Sequence, residues 1–98
     1  MKLEWDDNKN RENLLKHGFD FADAWQLFNN PLLVKPDTRK EYGEDRWIGI
    51  GTMNNGIVVV FVFTKRNNEI TRIISMRKAS KKERRNYEKS IKNQLEKN

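Results

Sequence analysis

Arg77 and Lys78 stand side by side where an apolar segment gives way to Ser80-Lys81-Lys82-Glu83. A guanidinium at such a corner can hold a phosphate through two parallel bonds and bind more strongly as negative charge builds in a transition state. The lysine adds a point charge. If Ser80 opens a helix, its free backbone N–H groups favour an anion at the same place. His17 is the only histidine, and histidine is the residue type suited to acid–base work near neutral pH. At a helix end it can equally just complement the dipole. Glu44, close to Arg46, is either a general base or a surface carboxylate. Tyr87 can reach a phosphate through its hydroxyl or fill the core with its ring. With no cysteine and one histidine, no transition-metal site is expected, and no cofactor. Gly49-Ile50-Gly51 lies within a strand pattern with no helix after it, so it is not a phosphate loop. No serine has nucleophile-elbow surroundings. What remains is phosphate chemistry carried out by cations.

These residues need a scaffold. Lys2 to Trp5 reads as a short strand. Asp6 and Asp7 suit a helix N-cap, and the helix runs to His17, with Gly18 supplying the left-handed residue after it. Asp20 caps a second helix whose buried face is Phe21, Ala24, Trp25 and Phe28. Asn29-Asn30-Pro31 ends it. Residues 32–35 form a strand and the polar residues 36–45 a loop. Three strands follow: Arg46–Met53, Ile57–Arg66 (the most apolar) and Ile70–Met76. Ser80 and Glu83 form a capping box that starts the last helix. The order β-α-α-β-β-β-β-α predicts an α+β domain on a mainly antiparallel sheet, with helices packed on it.

The last hairpin makes a sharper prediction. A two-residue turn at Asn67-Asn68 sets Arg66 opposite Glu69, Thr64 opposite Thr71, Val60 opposite Ser75 and Val58 opposite Arg77. Arg66, Thr64, Thr71, Ser75 and Arg77 then share a polar face. Arg72 falls on the other face with Phe61, Phe63 and Met76. A one-residue bulge would overturn part of this. On the last helix, Arg84, Tyr87, Ile91 and Leu95 form one stripe. Lys81, Arg85, Lys89 and Lys92 form another, suited to phosphate contact or simply to solvent.

Charge is divided unevenly along the 98 residues. Residues 1–64 carry 8 Lys+Arg and 10 Asp+Glu; residues 65–98 carry 12 and 4, within a net charge of +6. That asymmetry suggests a polyanionic partner. The longest apolar run, Ile57 to Phe63, is too short to cross a bilayer. The opening Met1-Lys2-Leu3-Glu4-Trp5 has no apolar signal region, so a cytoplasmic location is expected.

Several of these residues fall into a known arrangement. Leu3-Glu4-Trp5-Asp6, Asn13, Lys16-His17-Gly18, Phe21, Ala24, Phe28, Asn30-Pro31, Gly43-Glu44 with Arg46, Gly51 and Thr64-Lys65-Arg66 resemble BrnT-type toxins. The most specific part is Arg72-Ile73-Ile74-Ser75-Met76-Arg77-Lys78-Ala79, followed by Glu83 and Tyr87. The resemblance spans residues 3–88, within one domain over 1–98. It implies a RelE-like fold and an endoribonuclease that cuts RNA and arrests translation. It also implies a BrnA-like antitoxin with a ribbon–helix–helix end, and operator DNA contacted only through the toxin–antitoxin complex. His17, Glu44, Arg46, Arg66, Arg72, Arg77, Lys78 and Tyr87 match the pattern and are its candidate site residues. Met76 departs from it, standing where a small residue is usual. Asp20 departs too, where serine is frequent. Two other functions stay open: a non-catalytic nucleic-acid-binding module with the same basic surface, and a toxin acting on a protein target such as gyrase, since folds related to the one the resemblance implies include gyrase-poisoning toxins.

Overall fold

A computed structural model describes residues 1–96. The elements are β1 (Lys2–Glu4), α1 (Asp7–His17), a 3₁₀ turn (Phe21–Asp23), α2 (Trp25–Asn29), β2 (Leu32–Pro36), β3 (Trp47–Thr52), β4 (Val58–Lys65), β5 (Ile70–Lys78) and α3 (Lys81–Glu96). The expected succession of strands and helices is present. The sheet runs β1-β5-β4-β3-β2, antiparallel except for the parallel pair of β1 with β5.

Helix α1 begins and ends as its sequence dictates. The Asp6 carboxylate accepts the Lys9 N–H at 3.1 Å, a bond that holds its pKa below the ordinary value. Gly18, at φ 79°, turns its N–H back to the Leu14 carbonyl. The second helical segment differs from expectation. It is split into a 3₁₀ turn and a five-residue helix, and the 3₁₀ turn stacks residues three apart on one side. The buried residues are therefore Phe21, Ala24 and Leu27, while Trp25 is 46% exposed. Phe28 is partly buried and meets Phe61 and Phe63 edge-on, with centroids 5.4 and 5.5 Å apart.

One face of the sheet, carrying Val59, Phe61, Phe63, Ile73 and Met76, packs with Phe21 and Leu27 to form the core. Gly49 sits across from Phe61 in this layer, and a Cβ there would lie 2.5 Å from the ring. β1 pairs with β5 only from Ile70 to Arg72. Beyond that point α1 takes over the edge. The Asn13 side chain accepts the Met76 N–H at 3.1 Å and donates to the Phe19 carbonyl, so a side-chain amide substitutes for a neighbouring strand.

The β4–β5 register corrects the prediction in two places. Arg66 N–H bonds the Ile70 carbonyl, so the loop has three residues, and Thr64 faces Arg72 while Lys65 faces Thr71. This moves Thr71 into the core, 2% exposed, and Arg72 onto the other face. A bulge then follows between Val62 and Phe63, after which Val62 faces Ser75 and Val60 faces Arg77. The second shift restores the original alternation. Ser75 and Arg77 thus lie on the face expected for them, though each sits opposite a different residue.

Candidate functional site

The second face of the sheet is only partly covered. α3 starts on the reciprocal box read from the sequence: Glu83 N–H to Ser80 Oγ at 3.1 Å, and Ser80 N–H to Glu83 Oε1 at 2.8 Å. It docks through its middle. Tyr87 is buried, Ile91 is partly buried, and Leu95 is 72% exposed. Between α3 and β2 a groove of about 510 Å³ remains open. Leu33, Ile48, Ile50, Val60 and Val62 make its aliphatic floor, and Lys35, Arg39, Ser75 and Arg77 stand among its lining.

Four arginines occupy this face or line its groove, and each is held by a carboxylate. Arg77 meets Glu83 with both ends of its fork, at 2.8 and 2.9 Å. That pair holds the Glu83 carboxyl at about 2, with the Ser80 N–H as the second cause, and raises the Arg77 pKa. Arg39 meets Asp37 in the same two-point fashion, at 2.8 and 2.9 Å. The Asp37 side chain is fully buried, and the Arg39 guanidinium keeps its pKa far below the carboxylate range. Arg66 and Arg72 share one oxygen of Glu4, at 3.2 and 3.5 Å. These arginines are partly exposed, with side-chain accessibilities from 27% for Arg72 to 63% for Arg39. Arg46 lies at the margin, bonded to Glu44 at 3.0 Å and stacked 4.2 Å over the Tyr42 ring.

Most of the remaining candidates fall elsewhere. Lys78 follows Arg77 in the strand and so projects from the opposite face, the side of Met76 and α1. The two adjacent cations therefore do not form one pair. The helix start that was to receive an anion is already occupied by the chain's own Glu83 carboxylate. His17 is exposed in the last turn of α1 and is not among the residues that line the groove. Tyr87 lines the groove, but it is buried and its hydroxyl is bonded inward: it donates to the Pro31 carbonyl at 2.6 Å and lies 2.8 Å from Thr52 Oγ1. Lys81, Arg85, Lys89 and Lys92 are exposed. At 100° per residue they point well away from Tyr87, and so away from the groove. Arg39 and Asp37 are absent from the sequence-derived candidates. Their spacing in Pro36-Asp37-Thr38-Arg39 is the only sequence signal, and it is a weak one.

Fold and sequence together identify the class. The family described as "Ribonuclease toxin, BrnT, of type II toxin-antitoxin system" matches residues 5–83. The chain belongs to this family: it is a ribonuclease toxin, with RNA as substrate and an antitoxin as partner. A solved structure, the Brucella abortus ribonuclease toxin BrnT, superposes with a TM-score of 0.65 at 35% identity, covering 83% of this chain and 99% of that one. A comparison with curated proteins returned no match. Among the described residues no helix is long and apolar enough to cross a membrane.

Proposed function

We propose that this chain is a metal-independent endoribonuclease that binds RNA across the open sheet face and cleaves it with the RNA 2′-hydroxyl as nucleophile. The observation that carries the reading is a set of arginines on this face and its groove, each paired with a carboxylate and two of them, Arg39 and Arg77, held at two points. A guanidinium has five N–H donors. Two bonds to a carboxylate leave others directed outward, already oriented and needing little reorganisation when charge develops on a phosphate. In this reading Arg77 holds the scissile phosphate, while Arg66 and Arg72 hold the flanking backbone. Arg46 and Glu44 extend the same surface. His17 and Lys78, which lie outside the groove, serve in this reading RNA bound beyond it. The carboxylates on this face are committed to arginines, which leaves few donors for a divalent ion.

Membership of the family supports a biological setting for this activity. Cleavage arrests translation in the cytoplasm. A BrnA-like antitoxin with a ribbon–helix–helix end neutralises the toxin and carries the complex to operator DNA. The fold is of the RelE-like kind.

The test is cleavage of a defined oligoribonucleotide in excess chelator. Undiminished cleavage with a 2′,3′-cyclic phosphate or its hydrolysed 3′-phosphate is expected, along with no cleavage when the scissile ribose is deoxyribose. Arg77→Ala is expected to lose on the order of 10²-fold in rate while remaining folded. Activity restored only by added metal would sink the proposal, as would full cleavage of the deoxy substrate.

A further inference from the structure

We propose that Arg39 belongs to the RNA-binding site, where it and Arg77 form a pair of carboxylate-anchored guanidiniums that grip the phosphodiester backbone at the groove. This deepens the preceding proposal and rests on its placement of RNA at Arg77. The two arginines come from distant parts of the chain, one from the loop after β2 and the other from the end of β5, yet both line the same groove. Each is fixed by two bonds to its own carboxylate, at near-identical distances.

The Asp37 anchor is buried and the arginine it holds is not: the carboxylate side chain is fully buried while the guanidinium is 63% exposed. Burying a carboxylate is costly unless it is paired and hydrogen-bonded. Asp37 meets that condition by taking the Arg39 side chain at two points, the Arg39 N–H at 3.2 Å and the Tyr42 side chain. The arrangement fixes one edge of the guanidinium and leaves the rest facing the groove. The positive charge of Arg39 also reaches Arg77 and works against that residue's own charge. Two like charges set within reach of each other lower the energy of an anion bound between them. Lys35 lines the groove as well, so cations from β2, the loop and β5 surround the aliphatic floor. A sugar–phosphate backbone fits such a site, with its phosphates at the rim and its less polar ribose faces toward the floor.

Binding of a fluorescent, fully 2′-O-methylated oligoribonucleotide, titrated at several salt concentrations, tests this. The variants are Arg39→Ala, Arg39→Lys, Arg77→Ala and the double substitution Asp37→Asn with Arg39→Ala. The double variant removes the buried carboxylate that Arg39→Ala would leave unpaired, so the comparison survives if the single variant unfolds. Arg39→Ala and the double variant are expected to bind about tenfold more weakly, and loss of one phosphate contact should reduce the salt slope by about 0.7. Arg39→Lys should keep the slope but recover only part of the affinity, because it has the charge without the fork. Wild-type affinity and slope in the double variant, with Arg77→Ala impaired, would remove Arg39 from the site and leave Arg77 in it. Wild-type binding and cleavage in Arg77→Ala would overturn the placement of RNA itself, and the Arg39 proposal with it.

Discussion

Glu83 has two tasks, and the two can be separated by substitution. It closes the capping box at the start of α3 through the Ser80 N–H, and it anchors the Arg77 fork with both oxygens. Glu83→Ala removes both functions. The lost bond to Ser80 is worth about 0.5–1.5 kcal/mol. The ion pair, with side chains 44% and 35% exposed, adds about 0.2–1 kcal/mol after screening by solvent. Together these come to about 0.7–2.5 kcal/mol, a fall in Tm of roughly 3–20 °C for a domain of this size. Glu83→Gln should behave differently. Glutamine serves in a capping box, so most of the stability remains, but its single oxygen cannot hold both ends of the fork. The cleavage rate is then expected to fall about tenfold, a fraction of the loss typical for removing such a donor outright. Thermal melts and single-turnover cleavage on the same preparations measure the two effects. If Glu83→Gln cleaved at or above the wild-type rate, the carboxylate would be competing with RNA rather than orienting Arg77, and the anchoring argument would fail.

Three further outcomes are expected. Tyr87→Phe leaves the Pro31 carbonyl and Thr52 hydroxyl without the phenol. It should cost about 1–3 kcal/mol in a denaturant melt, with cleavage falling only as far as the folded fraction does; a larger loss of activity would return Tyr87 to the chemistry. Gly49→Ala forces a methyl against the Phe61 ring and should destabilise the fold by about 1–3 kcal/mol, visible as a lowered Tm. The Glu83 carboxyl sits at about 2 against an ordinary 4.5. Its contribution to stability is therefore complete above pH 4.5 and is lost as the pH falls toward 2. Over that window the wild-type Tm should fall more steeply than that of Glu83→Gln.

Much of the scaffold was readable because local chemistry dictates it. Asp6 and Gly18 bound α1, and Ser80 with Glu83 starts α3, as those residue types require. The faces of β5 were harder to read. Side-chain alternation has a period of two, so each one-residue error exchanges the faces. Ser75 and Arg77 were placed correctly only because the three-residue loop and the bulge cancel. Thr71 and Arg72, lying between them, were exchanged. Periodicity also misplaced Trp25, since it assumes a helix of uniform pitch where the chain changes from 3₁₀ to α. The Arg39–Asp37 anchor was invisible for another reason. Nothing in a polar loop sequence reveals that one of its carboxylates is buried, and only the loop's path back over the sheet brings Arg39 beside Arg77's groove.

The substitution of a side chain for a strand at Asn13 has a consequence for how these molecules can meet. An open sheet edge invites strands from other chains to add to it. With β1 covering β5 as far as Arg72, and Asn13 holding the Met76 N–H, that side of the sheet has little to offer an incoming strand. The opposite margin is different: β2 pairs on one side only, carries Val34 at 47% exposure, and closes on Pro36. Growth of the sheet by an added strand is thereby directed to one side of the molecule. There it would extend the groove floor rather than cover the arginines beyond it.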